Sequence, residues 1–270
     1  MAVITISRGS FSHGKEIAET VAEKLGYECV AREILLEASQ EFNISEIKLL
    51  HAIKDAPSIL DRFVYGREKY IAYIQAALLK HLRKDNVIYH GFAGHFFVKD
   101  IAHVLKVRII ADLEDRVRLV VKREGISVKE AERYVKKLDE QRKKWSKALY
   151  GIDTADPSLY DLVIHVDKIT VDEAAAIICH TVGLSHFQTT PQSRQAMDDL
   201  YLAAEVKATL IGLKPDIEVS AQDGYVTVKT SAPESQEIKL TEELKQIIER
   251  IPGVKGVAIT ILPIMPYVRE

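Results

Sequence analysis

The chain has 270 residues, 47% of them hydrophobic and 28% charged, with a formal net charge of −2. That balance excludes a disordered chain, and the length favours two domains over one. Residues 196–270 hold 8 Lys+Arg against 12 Asp+Glu and residues 1–195 hold 29 against 27, so neither part has the basic footprint of a nucleic-acid binder.

Ala2–Ser7 alternates and is rich in Val, Ile and Thr, which predicts a strand. A turn follows over Arg8–Gly14, and Ile17, Ala18, Val21, Ala22 and Leu25 then recur at helical spacing until Gly26 supplies a stop. Helical patterns continue over Arg32–Phe42, Ser45–Ile53 and Ile59–Arg83. Further strands are expected at Asn86–His90, Val104–Ala111 and Tyr160–Val166. Two charged helices, Leu113–Arg123 and Val128–Lys147, lie between the last two, and Val171–Val182 reads as a closing helix. Strands alternating with helices predict an α/β fold with a parallel sheet flanked by helices.

Gly183–Gln195 has no periodicity and is rich in turn formers, so we expect a domain over 1–183, a linker over 184–195 and a second domain over 196–267. The second reads as a small α+β unit in α-β-β-α-β order with a core of its own. Leu200, Ala203, Val206 and Leu210 share a helix face, and the strands 217–221 and 226–228 flank an Asp223–Gly224 turn. Leu244, Ile247, Ile248 and Ile251 follow helical spacing, and Val257, Ile259 and Ile261 form a last strand. No apolar run approaches the roughly 18 residues of a membrane span, and the strand-like start is not a signal peptide. Cys29 and Cys179 sit far apart among apolar neighbours, which fits buried thiols in a reducing, cytoplasmic setting.

Chemistry concentrates first at Gly9–Glu16, which reads G-x-x-x-x-G-K-E and departs from the phosphate-loop pattern G-x-x-x-x-G-K-[ST] at its last position. It falls directly between a strand and a helix. There, glycines admit backbone amides to phosphate oxygens, the helix dipole favours an anion, and Lys15 can reach the outer phosphates. Glu16 replaces the hydroxyl that ordinarily ligates Mg²⁺ and reads as a helix-opening carboxylate. His90 and His95 flank a glycine-bearing segment at a strand's carboxyl end, where α/β sheets bind ligands, but they lack the neighbours of a metal site. Ser7, His13 and Asp161 show no triad spacing.

The runs Ile4-Thr5-Ile6-Ser7-Arg8 and Ser12-His13-Gly14-Lys15-Glu16-Ile17-Ala18 resemble the start of cytidylate kinase-like proteins, with Phe11 and His13 in place of glycines. Collinear likenesses follow at 31–34, 87–91, 107–111 and 160–164, and at 126–132 with Asp139 and Arg142, which resemble the family's lid. The resemblance covers about residues 1–183. It implies a P-loop kinase fold and phosphoryl transfer from ATP, with Mg²⁺, to a nucleotide such as CMP. By it, Lys15, Arg116, Arg118 and Arg142 are candidate catalytic residues. Arg8, Gly9, Ser12, His13, Gly14, Lys15, Glu16, Arg32, His90, Gly91 and His95 are candidate nucleotide-binding residues, and no resident metal ligand is expected. Most of the basic residues of the second lid helix (Arg133, Lys136, Lys137, Lys143, Lys144, Lys147) read as an ordinary solvated face. Ala31 and Phe92 depart from the family pattern. Two alternatives therefore stay open: a nucleotide-binding sensor without catalysis, and a small-molecule kinase with a different acceptor.

Residues 196–265, through their α-β-β-α-β order and Asp223-Gly224-Tyr225-Val226-Thr227-Val228, resemble a BON domain. That likeness implies an interaction role with protein, ligand or a second copy. The acidic balance of this region argues against an anionic membrane as the partner.

Overall fold

A computed structural model describes residues 2–31, 33–42, 66–91 and 94–264. Five strands, β1 (Val3–Arg8), β2 (Glu28–Val30), β3 (Val87–Tyr89), β4 (Val104–Ala111) and β5 (Leu162–Val166), form a parallel sheet in the order β2-β3-β1-β4-β5. Strand β1 is central and almost wholly buried, as expected for a strand covered on both faces. On one face α1 (Gly14–Leu25) packs beside α7 (Val171–Val182), and Ile4, Ile6, Leu105, Val107 and Ile109 meet Ile17, Val21 and Ile178 there. The other face is covered by α2 (Glu33–Glu41), α3 (Gly66–Leu82) and the single turn α4 (Gly94–Phe97). The helices expected at 45–53 and over 59–65 lie outside the described residues, as do Arg32 and Phe92.

Between β4 and β5 stands a helical hairpin, α5 (Leu113–Glu124) and α6 (Val128–Tyr150). Ser127 and Glu130 form a reciprocal capping box that starts α6. The hairpin closes on a small core of its own, Val117, Val120, Ala131 and Val135.

The carboxyl-terminal part runs α8 (Pro191–Leu210), β6 (Glu218–Gln222), β7 (Tyr225–Ala232), α9 (Glu237–Ile248) and β8 (Gly256–Pro263). Its sheet has the order β6-β7-β8, antiparallel then parallel. Asp223 and Gly224 both have positive φ at the β6–β7 turn, the conformation that tight hairpins require. Two expectations need correction here. The segment read as an aperiodic linker contains a 3₁₀ turn, Ser185–Phe187, and the start of α8, where Thr190 caps the helix and Pro191 occupies its first turn. Nor is the second core separate: Leu202, Val206 and Leu210 join Ala72, Ala76 and Leu79 of α3 in one continuous cluster. Over Ile71–Leu79 helix α3 is apolar at every position but Gln75, and α8 covers what the sheet does not. Buried Asp85 fastens this junction: Thr189 Oγ1 donates to it at 3.0 Å, Arg194 pairs with it, and His103 Nε2 lies 3.5 Å away. Among the described residues no helix is long and apolar enough to cross a membrane, and neither Cys29 nor Cys179 is in a disulfide.

Candidate active site

The turn after β1 stands at the carboxyl edge of the sheet and runs into the amino terminus of α1. Gly9 donates its amide to Ile109 O at 3.2 Å, and the buried Ser12 hydroxyl lies 3.0 Å from Gly9 O and 3.2 Å from Ile109 O, so the loop is stitched to β4. Phe11 and His13 adopt left-handed backbone with φ of 58° and 61°. That conformation costs a non-glycine residue about 1–2 kcal/mol. Each has a compensating contact: His13 Nδ1 lies 2.6 Å from Glu16 Oε2, and the Phe11 ring meets Tyr134 of α6 at 5.9 Å. Gly14 cannot be replaced freely, because a Cβ there would come within 2.8 Å of the Arg8 side chain.

Two adjoining cavities open at this edge. The inner one, about 50 Å³, is lined by Ser7, Arg8, Gly91, His95, Arg108, Arg142, Ser146 and Thr154. The outer, about 230 Å³, carries Gly9, Arg116, Asp139, Lys143 and Asp153. Arg8, Arg108, Arg142 and Thr154 line both and form the shared wall. Residues 139, 142 and 146 occur at helical spacing, so α6 presents Asp139, Arg142 and Ser146 toward the sheet on one face. Arg142 donates to Arg8 O at 3.1 Å. Arg116 donates to Asp139 at 2.6 Å and to Ser10 O at 3.3 Å, while Ser10 N donates to the other Asp139 oxygen at 3.1 Å. The hairpin is thereby buttoned onto the loop.

Electrostatics make this wall a receptor for an anion. Burial, reinforced by Arg8, Arg108 and Arg116 and opposed by Asp139, lowers the Arg142 pKa to about 10, so it stays charged at neutral pH. Burial likewise lowers Arg8. His95 is 3% exposed and its pKa falls to about 3, first through burial and then through the charges of Arg108 and Lys106. Its imidazole is neutral at physiological pH, and its Nε2 has no hydrogen-bond partner among the described residues. The His95 ring stacks on Tyr160 at 4.8 Å, and the Tyr160 hydroxyl lies 3.0 Å from Thr154 O and 3.1 Å from Ser7 Oγ.

The sequence-derived candidates are distributed unevenly over this geometry. Arg8, Gly91, His95 and Arg142 line the inner cavity, and Gly9 and Arg116 line the outer. Ser12 braces the loop. Lys15 points away, 62% exposed and 3.5 Å from Glu19, and Glu16 is engaged by His13. His90 is buried and donates its amide to Val30 O. Arg118 is 75% exposed on another face of α5, where it pairs with Asp115 and lines a groove between α5 and α6. Arg32 lies outside the described residues. Of the basic residues on α6, Lys136 and Lys144 pair with glutamates one turn away, as a solvated face would, whereas Lys143 pairs with Asp153 at 3.0 Å on the outer cavity. Sequence reasoning passes over Arg108, Tyr160 and Ser7. The available signal was the pair Lys106 and Arg108, two basic residues on one half-buried face of an otherwise apolar strand.

A loop of this kind at the carboxyl end of the central strand, in a sheet ordered β2-β3-β1-β4-β5, places the molecule in the class of P-loop kinase folds. The chain belongs to the cytidylate kinase-like family, whose model matches residues 3–168. It is 32% identical to the cytidylate kinase of Methanopyrus kandleri over 177 residues, which is 65% of this chain and 90% of that one. It is 30% identical to the cytidylate kinase of Thermococcus kodakarensis, over 65% of this chain and 85% of that one. Among solved structures, an uncharacterized protein from Eubacterium ventriosum superposes with a TM-score of 0.49 and 20% identity, covering 67% of this chain and 98% of that one.

Proposed function

We propose that the chain transfers the γ-phosphoryl group of ATP to the phosphate of a nucleoside monophosphate, with CMP the preferred acceptor. One observation carries this reading: the inner cavity is walled by Arg8, Arg108 and Arg142, and no carboxylate is among its described lining residues. A hydroxyl acceptor needs a general base to take its proton. His95, with a pKa near 3, is unfit for that task. A phosphate acceptor arrives ionised and needs its charge neutralised, which Arg8 and Arg108 do from the sheet edge. One acceptor oxygen bonds to the γ-phosphorus while the bond from that phosphorus to the β,γ-bridging oxygen breaks. ADP leaves with the bonding electrons, and no proton need move. Arg142 and Arg116 balance the charge of the moving group from the hairpin, and Lys15 would turn from Glu19 to meet the donor phosphates.

Among the described residues no group of three His, Cys, Asp or Glu could hold a metal ion. Mg²⁺ fits here only as a companion of the phosphates, with Asp139 and Asp153 of the outer cavity as the nearest carboxylates. When bound, it would supply further neutralisation of phosphate charge.

The Glu19 contact of Lys15 and the carboxylate of Glu16 at the hydroxyl position favour a second reading, a nucleotide sensor without turnover. For the carboxyl-terminal part, its α-β-β-α-β order supports a BON-like accessory domain that binds protein, a ligand or a second copy and adds no catalytic group. A panel of nucleoside monophosphates and their parent nucleosides, each with ATP and Mg²⁺, decides between the two readings. ADP release with CMP and none with cytidine is the expected outcome; thermal stabilisation by nucleotides without ADP release would establish the sensor.

A further inference from the structure

Arg108 occupies an unusual place for a guanidinium. It sits on β4, an inner strand of the sheet, in register with Ser7 of β1 and Val163 of β5. Charge is costly to hold there unless something compensates it. The partners that fix Arg108 are neutral: its Nη1 lies 3.2 Å from Ser7 Oγ and 3.2 Å from Tyr160 Oη, and its guanidinium carbon stands 5.5 Å from the centre of the Tyr160 ring. These contacts satisfy hydrogen-bonding directions without cancelling charge, so the positive potential remains directed at the cavity wall. Tyr160 is itself restrained, 8% exposed, with its hydroxyl also against Thr154 O and its ring against His95.

Arg142 and Arg116 stand on the hairpin, which has its own core and is held to the loop by a few polar bonds. Arg108 stands on the sheet, paired on both sides, and so is held independently of the hairpin. A residue fixed in this way suits the group that must be in place before the hairpin closes. His95 and Gly91 line the inner cavity beside Arg108, and this is the compartment the transfer reading gives to the acceptor.

We propose that Arg108 is the binding residue that seats the acceptor's phosphate monoester, and that Tyr160 is the positioning residue that aims it. The assignment deepens the phosphoryl-transfer reading and rests on it.

The test uses the full chain with CMP titrated calorimetrically in the absence of ATP, followed by steady-state kinetics on the same proteins. Arg108→Met weakens CMP binding by about 30-fold or more, the scale expected for removing one partner of a buried charged contact. Arg108→Lys, which keeps the charge but loses the planar fork, falls between it and wild type. ATP affinity stays within about threefold in both, since the donor phosphates have other partners. Tyr160→Phe raises the acceptor KM by about fivefold, the scale of one hydrogen bond, and leaves the ATP KM unchanged. A purely structural Tyr160 would lower the melting temperature without moving the acceptor KM, and that result overturns its positioning role. CMP binding unaltered in both Arg108 variants, or a loss confined to ATP, overturns the assignment of Arg108 while leaving the transfer reading intact. Should Arg108→Met fail to fold, Arg108→Lys decides alone. Wild type that binds CMP through Arg108 but releases no ADP overturns the transfer reading and leaves Arg108 as a phosphate seat. Wild type that binds no nucleoside monophosphate overturns both.

Discussion

The sheet edge and the helical hairpin bring the same charge to one wall by opposite means. Arg108 is fixed on a buried strand by two hydroxyls, in a region where β1 and β4 are packed from both faces. Arg142 and Arg116 ride on helices whose small core, Val117, Val120, Ala131 and Val135, is separate from the two large cores beneath the sheet. The hairpin is fastened to the loop by Asp139 on Ser10 N, Arg142 on Arg8 O and the Phe11–Tyr134 ring contact. The difference separates two tasks. In the proposed transfer, the preorganised half would receive a phosphate and the hairpin half would supply charge as the phosphoryl group moves.

The largest effect is expected on the closable side. Arg142→Met lowers kcat by about 10²–10³-fold, the range for removing one preorganised donor from a transition state, with CMP affinity changed far less. Steady-state kinetics with both substrates varied would show it, and equal losses in acceptor binding and kcat would erase the distinction between the halves. Lys15→Ala should weaken ATP binding by about 30-fold while leaving the melting temperature unchanged, because the side chain is solvent-exposed where it stands. ATP titrations that match wild type would leave the loop without its expected donor contact.

The smallest effect concerns His95 and is one of stability. Its folded pKa lies near 3 against an ordinary 6.5, so the unfolded state takes up the proton first as pH falls. Stability contributed by the neutral, buried imidazole is therefore whole above about 6.5 and declines by about 1.4 kcal/mol per pH unit toward 3. Denaturant unfolding of wild type and His95→Gln at pH 7.5 and 5 should show a shallower pH dependence in the variant. Parallel curves would mean that His95 is protonated more readily than its surroundings imply.

Long periodic segments were legible in the sequence, and so was the loop between β1 and α1, because strand alternation, helical spacing and glycine position agree there. Strand β2 was not, since three residues give no period. The start of α8 hid inside a stretch of turn formers, yet Thr190 followed by Pro191 is itself a helix-start signal. What covers α3 could not be read either: its apolar middle, Ile71–Leu79, needs a second partner, and only tertiary structure identifies α8 as that partner. At the site, Arg142 was found through its resemblance to the lid, while Arg108 was treated as strand. Two charges on one face of a strand, Lys106 and Arg108, have two explanations, an outward face or a functional seat, and periodicity alone does not separate them.

The account's central claim is that donor and acceptor compartments adjoin and share Arg8, Arg108 and Arg142 as one wall. A dinucleotide in which adenosine and cytidine are joined through five phosphates would span both at once. Calorimetric titration should give an affinity at least about 100-fold tighter than that of ATP or CMP alone, because the second half binds without a further association cost. An affinity no tighter than that of ATP alone would contradict the shared wall.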